Sequence, residues 1–192
     1  MDRIILVDMD DTATWLLPVW VEWLNNKYGL SVDWHDIKKW DMTIPFPTLT
    51  KEQVYEPLAT EEIWDKVTPR DGAVECLTSL HKRGFEIYIC TSTDYRNVKP
   101  KYERVISKYF SFIDWKHVIV TSCKQLVYAN FIIDDAPHNL INGIQRHKIL
   151  MDMPHNENVD VKEYGITRMS GWKNLDNYIS YVSLWDRVKN DN

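Results

Sequence analysis

Side chains that could carry out chemistry follow four short apolar runs of this sequence: Asp8, Asp10, Thr91, Ser92, Lys124, Asp134 and Asp135. Carboxylates that approach one another repel, and they raise each other's pKa unless a cation lies between them. Ligands that are all oxygen favour Mg²⁺, which keeps positions open for a substrate phosphate. Hydroxyl and ammonium groups can donate to the oxygens of that phosphate. The set therefore predicts a phosphoryl-transfer site.

The spacing of Asp8 and Asp10 predicts two different roles for these carboxylates. A turn that begins where a strand ends can direct both side chains into one cleft. One carboxylate could then attack phosphorus, while the other protonates the leaving alkoxide and later activates water. Because an aspartic acid ordinarily has a pKa of ~3.9, the acid role requires surroundings that exclude water.

The apolar runs that must position these residues are nearly continuous and rich in β-branched residues, and they occupy positions 3–8, 85–91, 117–122, 131–135 and 147–153. Such runs are typical of strands buried on both faces of a parallel sheet. Helical patterns separate several of them, as at 71–84 and 99–110. This alternation predicts an α/β fold with a doubly wound parallel sheet, which binds ligands at the carboxyl ends of its strands.

Residues 15–70 interrupt this alternation between the first and second strands. The segment has helical spacing and several tryptophans, and it predicts a small helical cap over the strand ends, with 1–14 and 71–192 forming the core domain. Its tryptophans are predicted mainly as core residues: Trp15, Trp20, Trp23, Trp34 and Trp64. The polar stretch 153–165 predicts an exposed loop, and the six histidines, which show no paired metal-ligand spacing, receive no role.

Composition narrows the class of protein. The 192 residues carry a net charge of −5 without a basic tail, which argues against a duplex nucleic acid as partner. No run approaches 18 apolar residues and the amino terminus does not resemble a signal peptide, so we expect neither a membrane partner nor export. The three cysteines predict reduced thiols in a cytoplasmic protein.

Four motifs, read in order, resemble those of the haloacid dehalogenase (HAD) superfamily of hydrolases. They are "DMDDT", "ICTST", "SCKQ" and "IIDDA". Further local similarities, among them "KYF" and "RMSGW", resemble more narrowly the 5'(3')-deoxyribonucleotidases. The resemblance covers essentially the whole chain. It implies a Rossmann-like HAD fold and a Mg²⁺-dependent phosphomonoesterase that acts on (deoxy)ribonucleoside monophosphates.

The resemblance also implies a role for each matching residue. Asp8 would be the nucleophile that becomes an aspartyl phosphate, and Asp10 the acid and base, with its backbone carbonyl helping to hold Mg²⁺. The phosphate would be held by Thr91, Ser92 and Lys124, and the metal site would be completed by Asp135 or Asp134, the sequence leaving open which of the two binds the metal directly. The cap would enclose the nucleoside, and Trp40 is the candidate contact for the base or sugar.

Two positions depart from this family. Asp11 stands where glycine is usual, and Ala136 follows the acidic pair where the deoxyribonucleotidases carry arginine. The sequence therefore leaves open the base and sugar preference, the choice between 5' and 3' phosphate, and the oligomeric state, a homodimer included. Two alternatives also remain: a phosphatase for another small ester, such as a sugar phosphate or phosphoserine, and a catalytically silent member that binds nucleotides.

Overall fold

A six-stranded parallel sheet forms the centre of the molecule in the computed structural model, which describes residues 3–190. The described residues form eight strands, of which β2 and β3 make a separate two-stranded sheet. The strands are β1 (Ile4–Val7), β2 (Thr14–Trp15), β3 (Thr68–Pro69), β4 (Glu86–Thr91), β5 (Val118–Val120), β6 (Phe131–Asp134), β7 (His147–Met151) and β8 (Ile166–Met169). The sheet order is β5-β4-β1-β6-β7-β8, with all neighbours parallel. The predicted fold class is confirmed. The edge strand β8 is an addition that the sequence did not predict.

Helices cover the sheet and form the segment that leaves its edge: α1 (Leu17–Tyr28), α2 (Lys51–Tyr55), α3 (Glu61–Lys66), α4 (Ala73–Lys82), α5 (Tyr95–Lys101), α6 (Ser107–Tyr109), α7 (Pro137–Leu140) and α8 (Leu175–Asn190). Helix α1 has proline in its first turn and ends at Gly29, whose φ of 64° suits glycine at a helix end. A π-helical turn, Tyr102–Ile106, joins α5 to α6. In the described residues, no helix combines the length and apolar character needed to cross a membrane.

The sheet is buried on both faces, as its continuous apolar strands require. In β1, Ile5 and Val7 pack on one side of the sheet, while Leu6 packs on the other with Ile132 and Leu150. Full burial of each such side chain contributes about 1.5–3 kcal/mol of hydrophobic stabilisation. The sheet is therefore a rigid base for the residues that follow its strands.

The helical segment between β2 and β3, residues 16–67, is called the cap segment below. Its two ends lie together because β2 and β3 pair antiparallel, with Thr14 opposite Pro69 and Trp15 opposite Thr68. Within it, Trp20 and Trp64 are buried in the main hydrophobic core. The predictions for these two tryptophans are confirmed.

Candidate active site

The carboxyl ends of three adjacent strands bring most of the predicted site residues together. Asp8 follows β1, Thr91 ends β4, Asp134 ends β6 and Asp135 comes next. Because β1 lies between β4 and β6 in the sheet, these ends are neighbours. All four side chains are buried. The order of the strands thus places side chains that are far apart in sequence at one edge of the sheet.

Lys124 supplies a buried positive charge to this cluster. Its Nζ contacts the carboxylate of Asp8 and lies 2.9 Å from Oδ2 of Asp134. A short helical turn carries the residue, and Gln145 Nε2 donates to its carbonyl oxygen at 2.9 Å. Burial alone would lower the pKa of Lys124, but the two carboxylates outweigh it and raise that pKa. The ammonium group is therefore charged.

Three carboxylates converge beside this ammonium group. Asp8, Asp134 and Asp135 each offer an oxygen atom, and these oxygens lie within 4.8 Å of one another. Burial raises the pKa of Asp8 well above its usual range; Lys124 opposes the shift, whereas the neighbouring acids add to it. A bound divalent cation would favour the ionised form of these groups. The donor set, oxygen atoms only in a buried pocket, fits Mg²⁺.

The two acids of the 134–135 pair have different partners. Asp134 accepts hydrogen bonds from the backbone N–H of Ala136 at 2.8 Å and from the amide of Asn139, besides its contact with Lys124. Burial raises the pKa of Asp134. Burial alone would also raise the pKa of Asp135, but this pKa is lowered overall because His155 and other donors face the carboxylate. Asp135 therefore carries the charge of the pair more readily.

Asp10 belongs to a separate ion pair. One of its carboxylate oxygens contacts Nζ of Lys101, while the other, Oδ1, is buried without a hydrogen-bond partner. Lys101 Nζ also donates to Oγ1 of Thr91 at 3.0 Å and lies 5.1 Å from the ring centroid of Trp64. The hydroxyl of Thr91 thus faces Lys101. The sequence prediction missed Lys101, because no local pattern links the end of α5 to a residue 91 positions earlier.

The turn at Asp11 lies between β1 and the cap segment. Asp11 has a φ of 57°, the left-handed conformation that aspartate tolerates better than most residues. Its Oδ1 accepts the backbone N–H groups of Leu16 at 3.1 Å and Leu17 at 2.8 Å, at the start of α1. Arg70, at the other end of the cap segment, donates to the carbonyl oxygen of Asp11 at 2.6 Å. Asp11 therefore forms the turn and also holds the start of α1.

A cavity of about 340 Å³ opens above the acidic cluster. Its floor includes Asp8, Asp10 and Lys124, and Ser92 and Ser122 also line it. The cap segment supplies a mainly apolar wall formed by Leu16, Leu17, Trp20, Met42, Tyr55 and Leu58. Trp20 is thus both a core residue and part of the wall. The cavity combines a charged floor with an apolar wall on the cap side.

Trp40 lines the same cavity, where it contacts two histidines. Its ring packs edge to face against His138 and His155, with ring centroids 5.0 Å apart in both pairs. The predicted exposed loop at 153–165 is partly wrong, since Met153 and Asn156 are buried and the side chain of His155 is only 7% exposed. The polar sequence "PHN" indicated exposure, but the side chains of His155 and Asn156 find ion-pair and hydrogen-bond partners inside the protein. His138 and His155 also line the site, although neither was predicted to have a role.

The comparison with known proteins agrees with this geometry. Residues 2–184 match the family described as 5' nucleotidase, deoxy (pyrimidine), cytosolic type C. A 5'(3')-deoxyribonucleotidase from Bacillus subtilis is 30% identical over 178 residues, which are 92% of this chain and 98% of that protein.

Solved structures show the same fold at lower identity. An HAD family hydrolase from Deinococcus radiodurans, solved with bound phosphate and sodium, has a TM-score of 0.64 at 14% identity and covers 95% of this chain and 97% of its own. An HAD hydrolase from Bacillus subtilis bound to magnesium has a TM-score of 0.56 at 14% identity, with coverages of 92% and 98%. The chain belongs to the deoxy (pyrimidine) 5' nucleotidase, cytosolic type C family, shares the fold of these HAD hydrolases, and is a phosphoric monoester hydrolase.

Proposed function

We propose that the protein is a Mg²⁺-dependent phosphatase that dephosphorylates deoxyribonucleoside monophosphates through an aspartyl phosphate on Asp8. The observation that carries the proposal is that two carboxylates at one cavity have different cationic partners. Asp8 contacts Lys124, and Asp10 contacts Lys101. Two aspartates with different cationic partners can take two different roles in one reaction.

The metal would be held by carboxylates on the cavity floor. We assign it to Asp8 and Asp135, with the backbone carbonyl of Asp10, while Asp134 chiefly holds Lys124 in place. This division is supported by the contacts of Asp134 with Ala136, Asn139 and Lys124, which occupy both of its oxygens. When bound, Mg²⁺ would neutralise charge on the phosphate and on the facing carboxylates.

The chain's own residues would then perform the reaction in two steps. A carboxylate oxygen of Asp8 bonds to phosphorus as the bond from phosphorus to the ester oxygen breaks, and Asp10, which must be protonated at this stage although Lys101 lies beside it, gives its proton to the leaving alkoxide. Asp10 next takes a proton from a water molecule whose oxygen attacks the phosphorus of the aspartyl phosphate. Inorganic phosphate leaves and Asp8 is regenerated. Lys124 and Ser92 would donate to the phosphate oxygens, and Thr91 would help to position them.

The substrate assignment is supported by the wall of the cavity. Aromatic and aliphatic side chains of the cap segment line it, and its size lies in the range of small-molecule sites. A nucleoside presents a flat, largely apolar base to such a wall, and Trp40 would contact the base or sugar. A cytoplasmic location is supported by the three cysteines, which are all free thiols.

Phosphate release from a panel of compounds tests this function. The panel contains deoxyribonucleoside and ribonucleoside monophosphates with 5' or 3' phosphate, sugar phosphates and phosphoserine, each assayed with Mg²⁺ and with EDTA. We expect the highest kcat/KM for a deoxyribonucleotide and no turnover with EDTA. A preference for a sugar phosphate or phosphoserine would contradict the substrate assignment. Nucleotide binding without turnover would indicate a catalytically silent member.

A further inference from the structure

The loop that follows β7, residues 152–159, is fixed against the backbone of Asp135. Asn156 in this loop is fully buried. Its Nδ2 donates to the carbonyl oxygen of Asp135 at 2.7 Å and to that of Met151 at 2.8 Å. Its Oδ1 accepts from Arg168 at 3.0 Å and from the N–H of Met153 at 3.3 Å. Because every polar atom of this amide has a partner, the loop has a defined position beside the acidic cluster.

His155, the residue before Asn156, faces the side chain of Asp135. Its Nε2 lies 3.0 Å from Oδ2 of Asp135, and only 7% of its side chain is exposed. The contact is an ion pair rather than a well-aligned hydrogen bond. The other oxygen of Asp135 accepts from Oγ1 of Thr12 at 2.9 Å. Two groups from different parts of the chain thus hold this carboxylate, and each oxygen keeps a lone pair for a further ligand.

The cap segment contacts the same loop at two points. Trp40 packs edge to face on His155, with an angle of 81° between the ring planes, and is itself 56% exposed. Beside it, Nζ of Lys38 forms an ion pair with Oε2 of Glu157 at 2.8 Å. The cap segment therefore reaches the acidic cluster through one intermediate side chain, the imidazole of His155.

We propose that His155 is a positioning residue that holds Asp135 ready for the metal ion and, through its contact with Trp40, links metal binding to the position of the cap segment. The inference rests on the proposed Mg²⁺-dependent function. A cation bound to Asp135 would restrict the carboxylate and the imidazole next to it. Trp40 would then pack on an ordered surface. Since such coupling is reciprocal, loss of the Trp40 contact would also weaken binding of the ion.

Variants of His155 test the first part. Glutamine can place an amide N–H near the position of Nε2. The side chain of asparagine has the same amide but is one methylene shorter, so it does not reach Asp135. Mg²⁺ affinity is measured by calorimetry without substrate, and each variant is checked for folding by circular dichroism. We expect His155→Asn to weaken Mg²⁺ binding by about 10-fold or more, as loss of a partner to a metal ligand commonly does. His155→Gln keeps a polar N–H near Asp135 but loses the positive charge of the ion pair, so we expect its Mg²⁺ affinity to lie between those of His155→Asn and the unmodified protein.

The control for these variants is His117→Phe, which removes an imidazole that pairs with Asp114 outside the cavity. It should bind Mg²⁺ as the unmodified protein does. If His155→Asn binds Mg²⁺ as tightly as the unmodified protein, the positioning role is refuted while the proposed function stands. If the unmodified protein hydrolyses nucleotides but binds no Mg²⁺, both the metal requirement and this inference fail.

Tryptophan fluorescence tests the link to the cap segment. Adding Mg²⁺ should change the emission of the unmodified protein, and this change should be lost in Trp40→Phe and in His155→Asn. The matched control is Trp115→Phe, since Trp115 lies before β5, away from the cavity, and is 70% exposed. The Trp115→Phe variant should keep the change in emission on adding Mg²⁺. We also expect Trp40→Ala to weaken Mg²⁺ binding a few-fold. Unaltered affinity in Trp40→Ala, together with an unaltered fluorescence response in Trp40→Phe, would refute the coupling.

Discussion

Asp11 occupies a left-handed turn and also caps a helix, and substitutions can separate these two contributions. In Asp11→Asn the acceptor oxygen for the N–H groups of Leu16 and Leu17 is kept. In Asp11→Gly the acceptor is lost, and loss of a helix cap lowers the free energy of unfolding by about 1 kcal/mol. Glycine nevertheless adopts the φ of 57° without strain. In Asp11→Ala the acceptor is lost and the left-handed backbone adds a further penalty of about 1 kcal/mol.

The expected order of the free energy of unfolding is therefore Asn above Gly above Ala, with steps of about 1 kcal/mol each. None of the three replacements titrates, so these differences should not depend on pH. Urea unfolding followed by circular dichroism, with EDTA present, measures them through the midpoint at constant slope. Equal stability of Asp11→Gly and Asp11→Ala would refute the role of the backbone conformation. Equal stability of Asp11→Asn and Asp11→Gly would refute the helix cap.

The unmodified protein adds a pH dependence that Asp11→Asn lacks. Burial, with Asp135 and Asp10 nearby, raises the pKa of Asp11 to about 8, whereas the unfolded chain releases this proton near pH ~3.9. Between these values the unfolded state is the one that loses the proton, so the stability of the unmodified protein falls as pH rises. Its stability relative to Asp11→Asn should therefore fall from about pH 4 to about pH 8 and then level off. A difference that stays constant over this range would contradict the assignment.

Other predictions concern the proton-transfer groups and the cysteines. Asp10→Asn should slow hydrolysis by roughly 10²–10⁴-fold, the usual effect of losing a general acid, and calorimetry should show Mg²⁺ binding retained; loss of that affinity would contradict the division of roles. Lys101→Met should lower kcat more than Lys101→Arg in steady-state assays, because only arginine preserves the charge beside Asp10. Equal kcat values in these two variants would contradict a role for this charge. Burial raises the pKa of Cys76 and Cys90 to about 12. At pH 8 only about 10⁻⁴ of each is thiolate, so a disulfide reagent should label the exposed Cys123 quickly and the other two only after unfolding. Rapid labelling of all three cysteines in the folded protein would refute this prediction.

The sheet could be predicted because its strands are continuous apolar runs buried on both faces. All five predicted strands are present, since local composition determines burial in a parallel sheet. Strand β8 was missed for the opposite reason. Two polar residues, Thr167 and Arg168, stand between Ile166 and Met169, so the strand has no continuous apolar run and is defined by its pairing with β7 at the edge of the sheet.

Buried polar residues were the main limit on predicting the site. Lys101 and His155 are polar residues whose partners, Asp10 and Asp135, are distant in the sequence. Composition cannot distinguish a buried polar group with a partner from an exposed one. By contrast, the strand-end residues Asp8 and Asp134 could be predicted, because each directly follows or ends an apolar run.

The central claim is that Asp8 attacks phosphorus, and one substitution tests it most directly. In Asp8→Asn the side chain keeps its shape but loses the nucleophilic carboxylate, whereas Asp160→Asn makes the same change in an exposed loop as a control. Both variants are assayed for phosphate release from a deoxyribonucleoside monophosphate with Mg²⁺, and for acid-stable label transferred from labelled substrate to the protein. We predict that Asp8→Asn loses roughly 10³-fold or more of kcat and all transferred label, while Asp160→Asn retains both. Turnover and labelling in Asp8→Asn at the level of the unmodified protein would contradict the account.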